Sequence, residues 1–238
     1  MKHYRLACIP AAMLAMTGMT ASSEAAQIHV RPVLVELPAP ASAATLTLNN
    51  RGKGVVTAQV RVFRWTQVNG KDKLTPTRDV VASPPLLRMA SGRDNVVRIV
   101  RITKRPVKGE ESYRLIVDQI PEKKKKGVGV VFAVRYSIPV FFYQPGASKP
   151  KLSWKAAKKG RNIVLTAHNS GARHERIAKL KITSTSGKTQ LLSRGLAGYV
   201  LGGSTKVWTK PARIKLRGAV TIKGQGIHGP IKAKARLR

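Results

Sequence analysis

KKKKGVGVVFAVRYSIPVFFYQP, residues 123–145, opens on four lysines and continues as a β-branched and aromatic run ending at Tyr143. An ordinary strand has about five or six residues, and this run is about three times that length. Its alternate positions Val130, Phe132, Val134, Tyr136 and Ile138 are all large and apolar, whereas Val131, Ala133, Arg135 and Ser137 are mixed. At a sheet edge, a strand so long and apolar is an aggregation template unless something pairs with it. It is therefore either a central core strand or a strand whose task is to be paired by another protein.

Outward from this run the same period of two recurs. From Gln27 onward a helical period is almost absent, and apolar alternation is broken by Gly, Pro, Asn or Lys clusters, the pattern of an all-β sandwich. Ile28–Glu36, Ala44–Asn49, Val55–Gln67, Leu86–Met89, Asn95–Ile102, Ser112–Ile120 and Val128–Tyr143 are predicted strands. Their number suits one immunoglobulin-like domain. Gln144-Pro-Gly-Ala-Ser-Lys-Pro150 then reads as a linker. Beyond it Leu152–Trp154, Asn162–Asn169, Ala178–Thr183, Gln190–Leu192, Ser204–Trp208 and Ala219–Ile222 form a second set, and Ile231–Arg238 suits an edge strand. The expected organisation is a leader over 1–26, a first sandwich over 27–145, a linker over 146–150 and a second sandwich over 151–238.

The leader is read from Lys2 and Arg5, the apolar Leu6–Met19 stretch and small residues up to Ala25 and Ala26. It holds Cys8, the only cysteine of the 238-residue chain, so the mature fold is expected to rest on core burial without disulfides. The formal net charge is +35, which attracts acidic partners and polyanions. Nucleic acid is not the expected partner, because the cations are dispersed and aromatic platforms are few. Four lysines at 123–126 read as a turn that blunts an apolar edge. Catalytic signals are thin. His29, His168, His174 and His228 lack metal-ligand spacing, and no nucleophile elbow or phosphate-cradling glycine loop occurs. Neither an enzyme nor a cofactor is expected.

Ser83-Pro84-Pro85, Gly92, Val97-Arg98-Ile99, Glu111-Ser-Tyr-Arg-Leu115, Gln119-Ile-Pro121 and Ile138-Pro-Val-Phe141 follow in an order and spacing that carry more than any one of them. Together they resemble the periplasmic pilus-assembly chaperones of the chaperone–usher pathway, in the branch serving archaic or spore-coat-U-like fimbriae. The resemblance covers Ile28–Pro150 well and the second half weakly. It implies two immunoglobulin-like β-sandwiches in a boomerang and a periplasmic location. It also implies a strand lent to incomplete pilus subunits, which are then surrendered to an outer-membrane usher. In that reading Val130, Phe132 and Val134 insert into the subunit, and Tyr136 and Ile138 continue their face towards the inter-domain cleft. A free copy either stays single or caps this strand by self-association.

The pattern also departs from the family. Its better-known members anchor the subunit's terminal carboxylate with an arginine of the first strand and a lysine of the last. Here Pro139 stands at the lysine position, and the first strand offers Arg31 beside Pro32. Carboxylate capture favours a forked donor, so Arg114 and Arg135 join Arg31 as candidate anchors. Two other readings fit the same residues, a secreted structural or adhesive sandwich and a basic polyanion-binding protein.

Overall fold

The computed structural model describes residues 28–121 and 133–237. The expected leader, the lysines at 123–126, and Val130 and Phe132 lie outside the described residues. Every regular element among the described residues is a β-strand.

The first ten strands are β1 (Ile28–Arg31), β2 (Val35–Pro38), β3 (Ala43–Asn50), β4 (Val56–Val68), β5 (Lys71–Pro76), β6 (Val80–Ser83), β7 (Leu86–Met89), β8 (Asp94–Arg101), β9 (Glu110–Ile120) and β10 (Arg135–Tyr143). They make a sheet in the order β1-β3-β8-β6 and a second in the order β2-β10-β9-β4-β5, with β7 also pairing β4. Prolines mark the places where the chain changes sheet. The expected strand Ile28–Glu36 is broken at Pro32, so β1 pairs antiparallel with β3 while β2 runs parallel to β10 in the other sheet. Proline brings no N–H to a ladder, which makes it a natural point of departure. Pro84-Pro85 does the same between β6, paired with β8, and β7, paired with β4.

Alternation fixes what each sheet buries. Leu46, Leu48, Val97 and Ile99 of the first sheet meet Val60, Leu115, Val117, Val140 and Phe142 of the second, all within one buried cluster. Each such side chain contributes about 1.5–3 kcal/mol on full burial. β5 escapes a reading by alternation because it is a polar edge strand, exposed along most of its length and held by its main chain to β4.

After the linker come β11 (Leu152–Lys159), β12 (Asn162–Asn169), β13 (Glu175–Ser184), β14 (Thr189–Leu191), β15 (Leu196–Val200), β16 (Thr205–Pro211), β17 (Ala219–Gly226) and β18 (Gly229–Arg236). A sheet β11-β12-β16 faces a sheet β14-β13-β17-β18 in which β15 also pairs β13. Leu165, Ile177, Leu180, Ile182 and Ile222 form their shared core. The molecule is thus all-β, two immunoglobulin-like sandwiches in series, and the basic tail strand is the edge of its sheet.

Candidate functional site

β10 is unequally paired along its two sides. It pairs with β9 from Arg135↔Asp118 to Tyr143↔Glu110, but with β2 only from Val140 to Tyr143. Among the described residues no strand pairs with the other side of Arg135–Pro139. The N–H of Gln119 donates to the Val134 carbonyl at 2.9 Å. The alternation of an antiparallel ladder then turns the backbone groups of Tyr136 and Ile138 towards β9 and those of Arg135 and Ser137 outward. Pro139 falls in the outward phase, where its missing N–H takes nothing from the β9–β10 ladder. An extended partner could therefore pair along this edge up to Pro139.

The side-chain faces of β10 correct part of the expected grip. Tyr136 and Ile138 do share the face of Val134, but that face is covered by the chain's own sandwich. Ile138 is 3% exposed inside the N-terminal core. Tyr136 packs against the same core, and its hydroxyl donates to the Ile28 carbonyl. Ile138 is thus taken up by the chain's own core, and Tyr136 is partly so. Of the expected inserting residues Val134 is described, and it is half-buried; Val130 and Phe132 lie outside the described residues.

The three candidate arginines occupy different settings. Arg31 is 67% exposed on β1 and lies 3.8 Å from Asp94. Arg135 is ion-paired to Asp118, which also accepts from Arg61 at 2.5 Å. Burial alone pushes the Asp118 carboxyl up, but the hydrogen bonds from Arg135 and Arg61 outweigh it and hold the group below its usual range. Both arginines already have a carboxylate. Arg114 has none among the described residues. It stands on β9 directly opposite Pro139 and beside Phe63 of β4. Its guanidinium lies 3.7 Å from the Trp65 ring centroid and 5.3 Å from that of Tyr199, a residue of the second sandwich. Its Nη1 donates to the outward Ser137 carbonyl at 3.2 Å. Burial pulls its pKa below the usual guanidinium value, with Tyr199 and Asp72 opposing. A half-buried cation stacked on aromatics, with unused donors beside an open strand edge, is suited to receive a carboxylate.

The surface behind Arg114 is where the sandwiches meet. Trp65 and Phe141 pack against Tyr199 and Leu201. Phe141 stacks on His174 with centroids 3.6 Å apart. Glu110, at the end of β9, accepts from the backbone N–H of His174 at 3.0 Å and contacts its Nδ1 at 2.9 Å. Arg173 pairs with Glu36 at 2.6 Å and lies over Tyr143. Gln67 donates to the Tyr199 carbonyl and accepts from the Leu201 N–H at 2.8 and 3.1 Å. Lys206 reaches Asp72 at 2.6 Å. Trp65 and Tyr199 escaped the sequence reading, although one signal was present. Val56, Ala58 and Val60 point inward from β4, so Trp65 must point outward, as Phe141 must beside Val140 and Phe142. A large aromatic on an outward face marks something that covers it.

Residues 27–149 match the family model described as pili and flagellar-assembly chaperone, PapD N-terminal domain. No curated protein matches the chain by sequence. Among solved structures, the chaperone–tip adhesion subunit pre-assembly complex of the archaic chaperone-usher Csu pili of Acinetobacter baumannii contains a similar chain. The two are 27% identical with a TM-score of 0.68, over 89% of this chain and 98% of that one. The Salmonella enterica SafA pilin–SafB chaperone complex gives 17% identity and a TM-score of 0.63, over 89% of this chain and 98% of that one. The Escherichia coli chaperone DraB gives 20% and 0.59, over 90% and 98%. The last two likenesses concern the fold.

Proposed function

This chain belongs to the pilus and flagellar-assembly chaperones, and on that premise we propose that it holds pilus subunits by adding the N-terminal part of β10 to them as a strand, with Arg114 receiving their terminal carboxylate. The carrying observation is the coincidence of an unpaired strand edge at Arg135–Pro139 with Arg114, the one candidate arginine lacking a carboxylate among the described residues. Main-chain bonds along the edge would supply affinity, and alternate side chains seated in subunit pockets would supply selectivity. Val134 and, in the sequence before it, Phe132 and Val130 are the side chains proposed to enter the subunit. Arg114 takes the place of the lysine for which Pro139 substitutes. The similar chain in the archaic Csu complex sits with a tip adhesion subunit, which supports subunits of that branch as cargo. Delivery to an outer-membrane usher, a periplasmic setting reached through the N-terminal leader, and the absence of catalysis complete the reading.

Co-expression with a secreted subunit encoded beside this gene tests the proposal. A protease-resistant 1:1 complex is expected, lost in the double variant Phe132→Asp, Val134→Asp, while the variant keeps its own thermal transition. A folded double variant that still protects the subunit overturns the strand reading.

A further inference from the structure

A second feature lies at the far end of the second sandwich. A cavity of about 490 Å³ is lined by Lys158, Arg161, Arg213, Lys215 and Arg217 over a floor that includes Ile214 and Leu216. From Lys151 to Arg238 the chain carries 21 lysines and arginines against the single acid Glu175. Glu175 is engaged elsewhere, accepting the Ile227 N–H at 2.6 Å. Each of the other described carboxylates likewise has a partner within the chain, and none of the five cavity cations is in an ion pair among the described residues. So five like charges converge on one concavity with no counter-charge among the described residues, an arrangement that repels itself until an anion enters.

The backbone that holds these cations is fixed. Arg213 N–H donates to Gln190 Oε1 at 2.8 Å, Gln190 Nε2 donates to the Pro211 carbonyl at 2.7 Å, and Ala212 N–H donates to the Arg161 carbonyl at 2.8 Å. Leu216 is buried in the C-terminal core, so Arg213, Lys215 and Arg217 are held outward on either side of their apolar neighbours. A site prepared this way loses little freedom on binding.

We propose that this cavity docks an acidic, partly apolar segment of a partner protein while the chaperone still carries its subunit. Its concave shape and apolar floor suit a protruding peptide better than a flat anionic surface. Its location leaves the cargo undisturbed. β11 leaves the linker at Leu152 and reaches Lys159 about 23 Å further on, at the end of the sandwich away from Arg114. The proposal does not depend on which strand the subunit takes.

Fluorescence anisotropy on the full chain tests it, with a fluorescein-labelled ten-residue peptide alternating Glu and Val at about 0.15 M salt, where surface charge is screened beyond ~8 Å. The triple variant Arg213→Gln, Lys215→Gln, Arg217→Gln is expected to bind at least tenfold more weakly. A charge-matched variant, Lys181→Gln, Lys223→Gln, Lys232→Gln, removes three exposed lysines that stand opposite one another across β13, β17 and β18. It should lose less than threefold. Both triple variants should melt as the parent does, and the cavity variant should still protect a subunit. Equal losses in the two variants overturn the proposal in favour of diffuse attraction. Binding of phosphatidylglycerol vesicles, but not of the peptide, through the same three residues overturns it in favour of a lipid surface.

Discussion

Arg101 and Glu111 show what one interior ion pair does for this fold. Arg101 Nε and Nη2 donate to the two Glu111 oxygens at 2.8 and 2.9 Å, and Nη1 and Nη2 also reach the carbonyls of Thr103 and Arg105. The Arg101 side chain is 9% exposed. Burial raises the Glu111 carboxyl, but the bonds from Arg101 and Tyr113 more than reverse this and hold it below the usual range. Glu111→Gln leaves the Arg101 charge uncompensated and should cost about 3 kcal/mol at neutral pH, read by urea unfolding. Because the folded pKa is depressed, this contribution is present above the unfolded value of about 4.3 and is lost as pH falls through the folded one. The gap between parent and variant should therefore narrow between pH 7 and pH 3; a constant gap counts against the pair. Arg114 differs in kind. With no ion pair for Arg114 among the described residues, Arg114→Ala should leave folding intact and weaken the subunit complex by about tenfold to a hundredfold, the value of a charge-assisted bond. Arg114→Lys should restore only part, since an ammonium neither forks nor stacks as a guanidinium does. Subunit dissociation rates measure both.

At the scale of the element, β10 is paired differently along its length, and Pro139 marks the join. From Val140 onward it is flanked by β2 and β9; before Pro139 one side has no partner strand among the described residues. Ser137 shares the outward phase of Pro139, so Ser137→Pro should spare the β9–β10 ladder yet delete a donor that a partner strand needs. The expected result is an unchanged melt with loss of subunit protection; an intact complex would show that pairing stops short of Ser137. Most of this strand was legible in the sequence. Its alternation and the motif Ile138-Pro-Val-Phe141 marked a strand over Val128–Tyr143, of which Arg135–Tyr143 is strand among the described residues and pairs with β9, while Ala133 and Val134 lie outside it. What alternation could not tell was which stretch of a continuous apolar face belongs to the chain itself. Tyr136 and Ile138 read the same as Val134, and only the position of the facing sheet separates them. For the same reason β5 was invisible, since its hydrogen bonds to β4 leave no mark in side-chain chemistry.

Across the whole molecule, two sandwiches are joined by a mixed seam of aromatics and ion pairs. Its contributors come from distant stretches of chain, so Trp65, Phe141, His174 and Tyr199 gave no common signal in sequence beyond an outward aromatic on β4 and another on β10. Glu110 is central to the seam, with a side chain 1% exposed and contacts to both His174 and Arg173. Glu110→Ala should uncouple the halves, turning one calorimetric transition into two or lowering the first by several degrees. A single transition at the parental temperature would assign the coupling to the aromatics instead.

With the described carboxylates all engaged inside the chain, the protein meets its own copies as a cationic colloid of formal charge +35. Two such particles approaching edge to edge would have to bring their open strands together against mutual repulsion, a barrier that falls as the Debye length shortens. Sedimentation should find single particles in dilute buffer and a growing fraction of pairs as salt approaches about 1 M, where that length is ~3 Å. The excess of lysine and arginine would then keep one such edge from its twin at low ionic strength.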